Sequence, residues 1–178
     1  MLGTGCGGYV GGKSAIEHAA EGLFDNAFVT TWTRGQIAEV FWSSGAKHRG
    51  GYAYRLCKVP EGGISKITEQ CFEDGHLDFG GAISWIQWIH FKASDDFDPN
   101  NWEAIDAVRT KIGTNPAGSE WAKITLPEHV AEKGYGWAFK DLVVVPEDLE
   151  LGQYVLSWRW DSYNTPQIWS SCANINII

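Results

Sequence analysis

A period-two pattern near the C-terminus constrains the fold of this chain more than any other feature. Across residues 154–161, large apolar side chains alternate with smaller or polar ones. Successive side chains of a β-strand point to opposite faces, so the pattern places one face of a strand against a core. The predicted inward-facing residues are Tyr154, Leu156, Trp158 and Trp160. A polar turn and a second strand, 167–177, follow this one and complete a predicted pair.

Further stretches rich in β-branched and aromatic residues have the lengths of strands. They cover residues 27–32, 37–42, 51–57, 83–91, 121–126 and 139–145. Seven or eight such strands with turn residues between them predict an all-β fold, an immunoglobulin-like antiparallel β-sandwich with long loops. One or two short helices are also predicted, at 14–22 and 100–113, because each begins with a capping-box pair and ends at a glycine.

Composition places the chain among single-domain globular proteins. It has 178 residues, of which 44% are hydrophobic and 20% charged, and we predict one domain over residues 1–178. The net charge is −8 and the sequence has no cluster of Lys and Arg, which predicts that the protein has no nucleic-acid partner. No apolar run has the length of a membrane-spanning helix.

The four cysteines, Cys6, Cys57, Cys71 and Cys172, allow three disulfide pairings. Cys57 and Cys71 flank a short turn-rich segment, which favours a local Cys57–Cys71 disulfide. A Cys6–Cys172 disulfide would then join the two ends of the domain. The even number of cysteines predicts a secreted protein or another oxidising compartment outside the cytosol. The alternative is four reduced, buried thiols.

Two motifs carry a resemblance to a known family. The first is the C-terminal pattern Gln-x-aromatic-x-x-Cys-x-x-Ile, formed here by Gln167, Trp169, Cys172 and Ile175. The second is a His-x-Gly pattern, formed by His48 and Gly50, which precedes an apolar strand. Together they resemble the lytic polysaccharide monooxygenases, copper enzymes that cut cellulose or chitin oxidatively. The resemblance covers about two-thirds of the chain.

The resemblance implies a role for three residues of this chain. His48 would be the internal copper ligand, since imidazole is a nitrogen ligand that suits copper. Gln167 would be the glutamine that hydrogen-bonds the oxygen species beside the metal. Trp169 lies where relatives carry a tyrosine or phenylalanine at the axial position. An indole cannot ligate as a phenol does, so Trp169 either covers the copper as an apolar lid or belongs to the core.

The other two copper ligands of the family come from the amino group and the imidazole of an N-terminal histidine, whereas this chain begins at Met1. With such a histidine at the mature N-terminus, the resemblance implies copper-dependent oxidative cleavage of a β-1,4-linked polysaccharide. Without it, the same fold would be a non-catalytic, copper-free sandwich. That protein would bind carbohydrate or act as a structural or interaction subunit of a larger protein assembly.

Other polar clusters have simpler interpretations. His90 precedes three aspartates, at positions 95, 96 and 98, and His76 lies between two, at 74 and 78. Acidic side chains in polar loops are usually solvated rather than bound to metal. The many aromatic residues also suit a sugar-binding surface. The candidates for stacking on sugar rings are Trp102, Tyr135, Trp137 and Tyr163.

Overall fold

The computed structural model describes residues 29–46, 48–89, 100–126, 136–163 and 165–178. The strands in these ranges are β1 (Val29–Trp32), β2 (Ile37–Ser44), β3 (Gly50–Lys58), β4 (His76–Leu77), β5 (Ile83–Ile89), β6 (Glu103–Asp106), β7 (Val108–Thr110), β8 (Trp121–Lys123), β9 (Gly136–Val144), β10 (Gly152–Ser162) and β11 (Ile168–Ile177). A 3-10 turn, Ile64–Lys66, precedes the short helix α1, Glu69–Asp74.

The strands form two sheets. The larger has the order β1-β11-β10-β3-β8-β7, with β4 also paired to β3, and the smaller has the order β2-β9-β5-β6. Every pairing between these strands is antiparallel except that of β1 with β11, which is parallel. The predicted all-β sandwich is therefore confirmed. No helix among the described residues is long and apolar enough to cross a membrane.

The core between the sheets is dominated by aromatic rings. Trp42, on β2, lies 4.9 Å from Tyr52 and 4.9 Å from Trp137 between ring centroids. On β10, the predicted inward residues Tyr154 and Trp160 are buried. Aromatic pairs at these separations stabilise a fold by about 0.5–1.5 kcal/mol each beyond the area that they bury.

The opposite face of β10 is buried as well, which its alternation did not predict. Helix α1 and the turn before it cover this face, so that Val155 packs with Cys57 and Phe72 in a second apolar cluster. The Cys57–Cys71 disulfide joins β3 to α1 and confirms the predicted local pair. Closing a loop of this size contributes about 3 kcal/mol in the chain-entropy model. Cys172 is also disulfide-bonded, and its predicted partner Cys6 lies outside the described residues.

An ion network fixes α1 to the larger sheet. One carboxylate oxygen of Glu69 accepts hydrogen bonds from Arg55 at 2.5 Å and from Arg159 at 3.0 Å. Arg159 also donates two hydrogen bonds to Asp161, at 2.7 and 2.9 Å. Two arginines buried on a sheet face need such counterions, because an unpaired buried charge is costly.

The helix predicted at 100–113 is wrong. This segment forms β6 and β7, which belong to different sheets. The main chain crosses between them at Ala107, whose N–H donates to the carbonyl of Ala82 at 2.8 Å. Backbone pairing with β5 and β8 outweighs the local capping signal, as tertiary contacts often do over local propensity. The helix predicted at 14–22 lies outside the described residues.

A buried carboxylate links the two sheets. Asp141, on β9, accepts hydrogen bonds from the hydroxyls of Tyr52 at 2.9 Å and Tyr54 at 3.2 Å, both on β3. Its other oxygen accepts from Ser84 at 2.5 Å and from Arg109 at 3.1 Å. The Asp141 side chain is fully buried. The described donors to Asp141 lie on β3 and β7 of the larger sheet and on β5 of the smaller sheet. This carboxylate therefore fixes the register of one sheet against the other.

This cluster predicts a loss of stability at alkaline pH. Burial, followed by the negative charge of Asp141, raises the pKa of Tyr52 and of Tyr54 well above the usual value. Above about pH 10 the unfolded chain releases these phenol protons while the folded protein retains them. The unfolded state then binds fewer protons, so the free energy of unfolding falls as pH rises, by up to about 1.4 kcal/mol per pH unit for each tyrosine.

Urea titrations from pH 8 to pH 12 measure this slope, and the double variant Tyr52→Phe/Tyr54→Phe provides the comparison. We expect the double variant to be less stable at pH 8, because Asp141 loses two donors. Above pH 10 its stability should decline less steeply than that of the wild type. Equal slopes in the two proteins would show that these phenols do not control the alkaline transition.

Candidate functional site

The candidate site lies at one end of the larger sheet, where β3 begins and where β10 turns into β11. Two backbone hydrogen bonds join these segments. The N–H of Tyr163 donates to the carbonyl of Arg49 at 2.8 Å, and the N–H of Ser162 donates to the carbonyl of Gln167 at 3.0 Å. The residue before Arg49 is His48. We call this end of the sheet the rim. It comprises residues 48–50 and residues 160–169 without residue 164.

His48 is half-buried at the rim. Its imidazole centroid lies 6.0 Å from the ring centroid of Trp160, with an angle of 49° between the ring planes. Trp160 is fully buried. The histidine therefore has a rigid aromatic support on one side and remains partly open to solvent, which is how a sandwich would present a metal ligand at its edge.

Gly50 explains the sequence context of this histidine. Its backbone φ is 149°, in the region that favours glycine. A Cβ atom at this position would lie 2.0 Å from the carbonyl oxygen of Asp161 and 3.0 Å from the indole nitrogen of Trp160. A side chain here would push the start of β3 away from β10. The glycine two residues after His48 thus keeps the histidine loop against the tryptophan.

Trp169 also stacks on Trp160. The two residues are opposite each other in the β10–β11 register, their ring centroids lie 6.0 Å apart, and their planes differ by 27°. Trp169 remains 43% exposed, so it is not a core tryptophan, the alternative left open by the sequence. Gln167 precedes it by two residues and is exposed in the turn. Its backbone N–H donates to the carbonyl of Thr165 at 2.7 Å.

The ring series His48, Trp160 and Trp169 therefore brings the two sequence motifs to one place. Trp160 was assigned to the core from its alternation, and its contact with both rim rings could not be inferred from that pattern. The signal that could have located it is the register: a ten-residue antiparallel pairing of β10 with β11 sets Trp160 against Trp169.

The described residues supply one imidazole at the rim, that of His48. The half-buried imidazole of His48 rests on a rigid support and has little conformational freedom to lose on binding a ligand. Among the described residues, however, no group of three or more His, Cys, Asp or Glu side chains could hold a metal ion. A single imidazole binds copper without geometric selection, so the described part of the rim does not by itself form a complete copper site.

The cluster around His76 is structural. Its Nε2 lies 2.7 Å from the carbonyl oxygen of Glu120, and its ring stacks on Trp121. Burial lowers the pKa of His76. The neighbouring Asp78 accepts a hydrogen bond from Lys111 at 3.1 Å rather than turning toward the imidazole. The other sequence cluster, around His90, lies outside the described residues.

The four aromatic candidates for sugar binding divide on exposure. Trp137 is buried in the core, so its assignment to a binding surface is wrong. Tyr163, in the rim, is 85% exposed, and Trp102 is half-buried on the smaller sheet. Tyr135 lies outside the described residues.

Comparison with known proteins agrees with the two motifs. The AA13 family lytic polysaccharide monooxygenase A of Aspergillus terreus is 24% identical over 170 residues, which cover 85% of this chain and 42% of that protein. The protein of the same name from Pyricularia oryzae is 24% identical over 85% of this chain and 43% of its own length. The lytic polysaccharide monooxygenase aasB of Emericella nidulans is also 24% identical, over 85% of this chain and 51% of its own length.

The chain is lytic polysaccharide monooxygenase-like. It spans about half the length of the curated relatives that it matches. No family model matches the chain. The solved structure of the cellulose-active monooxygenase CelS2 in complex with copper has a TM-score of 0.39 and 14% identity, over 84% of this chain and 53% of that one. The assignment therefore rests on the curated relatives and not on this structural likeness.

Proposed function

We propose that this lytic polysaccharide monooxygenase-like domain acts outside the cytosol and supports copper-dependent oxidative cleavage of a polysaccharide at the rim. The observation that carries the proposal is the ring series, in which Trp160 contacts both the imidazole of His48 and the half-exposed indole of Trp169. A histidine at the N-terminus of the mature chain would supply the remaining two nitrogen ligands. Copper would supply the one-electron redox chemistry.

Each of three rim residues has a proposed role that follows from its position in the site. The imidazole of His48 offers one nitrogen lone pair, held in orientation by Trp160. The exposed indole of Trp169 would offer an apolar surface beside Trp160. Gln167, in the turn between β10 and β11, offers an amide donor and a carbonyl acceptor to a polar ligand at the rim. The disulfides support the oxidising compartment that the proposal requires.

Copper titration of the mature protein followed by electron paramagnetic resonance tests this proposal. Mass spectrometry of its N-terminal peptide first establishes whether a histidine comes first. We expect one equivalent of copper with an axial signal in the wild type, and an affinity lower by at least about tenfold to a hundredfold in His48→Ala, since even partners of metal ligands have effects of this size. The matched control is His76→Gln, whose imidazole lies in the structural cluster. Stoichiometric copper binding that is unchanged in His48→Ala would show that His48 is not a ligand. Absence of copper binding by the mature wild type would contradict the proposed enzymatic function.

A second candidate function is a copper-free carbohydrate-binding module or a subunit of a protein assembly. One observation favours it: the described rim has a single metal-binding nitrogen, yet Trp169 and Tyr163 are both exposed there. Flat rings of this kind stack on the apolar faces of sugars. Binding to cellulose, chitin or starch that persists in a chelator, without oxidised products when copper and reductant are added, would select this function. The same panel of three polysaccharides decides the linkage that the domain recognises.

A further inference from the structure

The outward face of the smaller sheet carries a row of large side chains. The register pairs Phe41 on β2 with Lys140 on β9, and Lys140 with Trp85 on β5, so the three lie side by side across the sheet. Neighbouring strands are about 4.8 Å apart, which places Phe41 and Trp85 about 10 Å from each other. Trp102, just before β6, adds a third ring. We call Phe41, Trp85, Trp102 and Lys140 the aromatic face.

The rings of the aromatic face are held in place before any ligand arrives. The ammonium nitrogen of Lys140 lies 4.8 Å from the ring centroid of Trp85 and 5.4 Å from that of Trp102. Trp102 in turn lies 5.8 Å from Phe41 between centroids. Cation–π contacts of this kind fix two rings around one charge, so binding to them costs little conformational entropy.

The aromatic face is open to solvent although it is built from large apolar groups. Phe41 is 58% exposed, and Trp85 and Trp102 are half-buried. The fold gains little from a phenylalanine ring exposed on an edge strand, and contiguous exposed apolar groups commonly mark an interaction surface. Ile37, on the same face of β2, is 51% exposed and extends the apolar surface.

The charge of this face indicates an uncharged ligand. The one cation of the aromatic face, Lys140, already has the carboxylate of Glu39 at 3.7 Å. The next row across the sheet ends at Asp106 on β6, which is exposed. The surface therefore has no surplus positive charge to attract an acidic polymer. Its polar groups, two carboxylates and one ammonium, can instead exchange hydrogen bonds with hydroxyl groups.

We propose that the aromatic face is a second carbohydrate-binding surface, which docks an uncharged polysaccharide chain. The apolar faces of successive sugar rings would lie on Phe41 and Trp102, with Glu39 and Lys140 hydrogen-bonding hydroxyls at the side. The proposal extends the proposed function, since the rim would act on the same polymer. A second copy of this chain would give a different outcome in the test below.

Depletion of the protein by insoluble cellulose, chitin and starch tests this surface. We expect the partition constant of the double variant Phe41→Ala/Trp102→Ala to fall about tenfold on the polysaccharide that the wild type binds, as loss of two ring contacts implies. Phe41→Leu keeps an apolar side chain but removes the ring, and it should also bind more weakly. The matched control is Val108→Ala/Ile112→Ala, which truncates two exposed apolar side chains on and after β7, a strand of the other sheet. Thermal unfolding of each variant shows that it is folded.

The outcomes separate this inference from the copper proposal. His48→Ala should lose copper binding and keep the wild-type partition constant. A failure to bind copper would therefore contradict the copper proposal and leave the proposal about the aromatic face unaffected. Wild-type protein that binds none of the three polysaccharides would overturn the inference, and so would a folded Phe41→Ala/Trp102→Ala variant with wild-type partition. Sedimentation in which the wild type self-associates and this variant is monomeric would assign the face to a contact between copies instead.

Discussion

Replacing Asp141 with asparagine is expected to lower the free energy of unfolding by about 3–5 kcal/mol, the range for breaking a buried ion pair. One oxygen of Asp141 accepts from Tyr52 and Tyr54, and the other from Ser84 and Arg109. An asparagine keeps one acceptor oxygen and presents an NH2 group to the donors on the other side. The guanidinium of Arg109, whose side chain is 13% exposed, would also lose its buried counterion.

Urea denaturation of Asp141→Asn measures this loss, and a double-mutant cycle assigns its cause. Adding Arg109→Met removes the uncompensated charge, so the double variant should be less destabilised than the sum of the two single variants. Ser84→Ala removes one neutral donor and should cost only about 1 kcal/mol. A stability of Asp141→Asn within 1 kcal/mol of the wild type would mean that the carboxylate is not the link between the sheets.

Local patterns predicted the strands well because side-chain alternation directly encodes which face is buried. The inward set on β10 shows this, since Tyr154 and Trp160 are in the core. Alternation could not predict that Arg159 and Val155, on the other face, are buried too. Their cover is α1, more than 80 residues earlier in the chain, and it is held there by Glu69 and a disulfide.

The same limit explains the wrong helix at 100–113. Asn100 and Glu103 have the spacing of a helix start, but Glu103 begins an edge strand that pairs with β5. Local capping is worth about 1 kcal/mol, less than the packing and backbone pairing that a sheet edge offers. The sequence nonetheless held a sign of the buried cluster: Asp141 is an acid within the apolar stretch 139–145, where an acid requires buried partners.

The rim was predictable in its parts and not in its arrangement. His48 and the Gln167–Trp169 motif were identified from local sequence, because family motifs are short. Their proximity depends on β3 and β11 both pairing with β10, which is a property of the sheet order. The central support, Trp160, has no local mark that separates it from other core tryptophans. The site therefore had to be assembled from the register before its middle residue could be recognised.

Removing that support is expected to have the second large effect. Trp160→Ala should lower the free energy of unfolding by about 3–5 kcal/mol, the range for deleting a buried large aromatic side chain. Trp160 is fully buried and its ring lies 5.7 Å from Trp42 and 6.3 Å from Trp137 between centroids, so a cavity would open in the centre of the core. The matched control is its stacked neighbour Trp169, where truncation to alanine should cost about 1 kcal/mol because the ring is 43% exposed.

The variant Trp160→Phe distinguishes the contribution of Trp160 to the rim from its contribution to packing of the core. A phenylalanine fills much of the space and should cost less than alanine, while the ring beside the imidazole of His48 becomes smaller and its contact with Trp169 changes. Proton NMR should then show altered imidazole shifts for His48 in Trp160→Phe and unaltered shifts for His76, which stacks on Trp121 instead. Equal costs for Trp160→Ala and Trp169→Ala, or unchanged His48 shifts in Trp160→Phe, would mean that Trp160, although it contacts both rim rings, does not hold them in place.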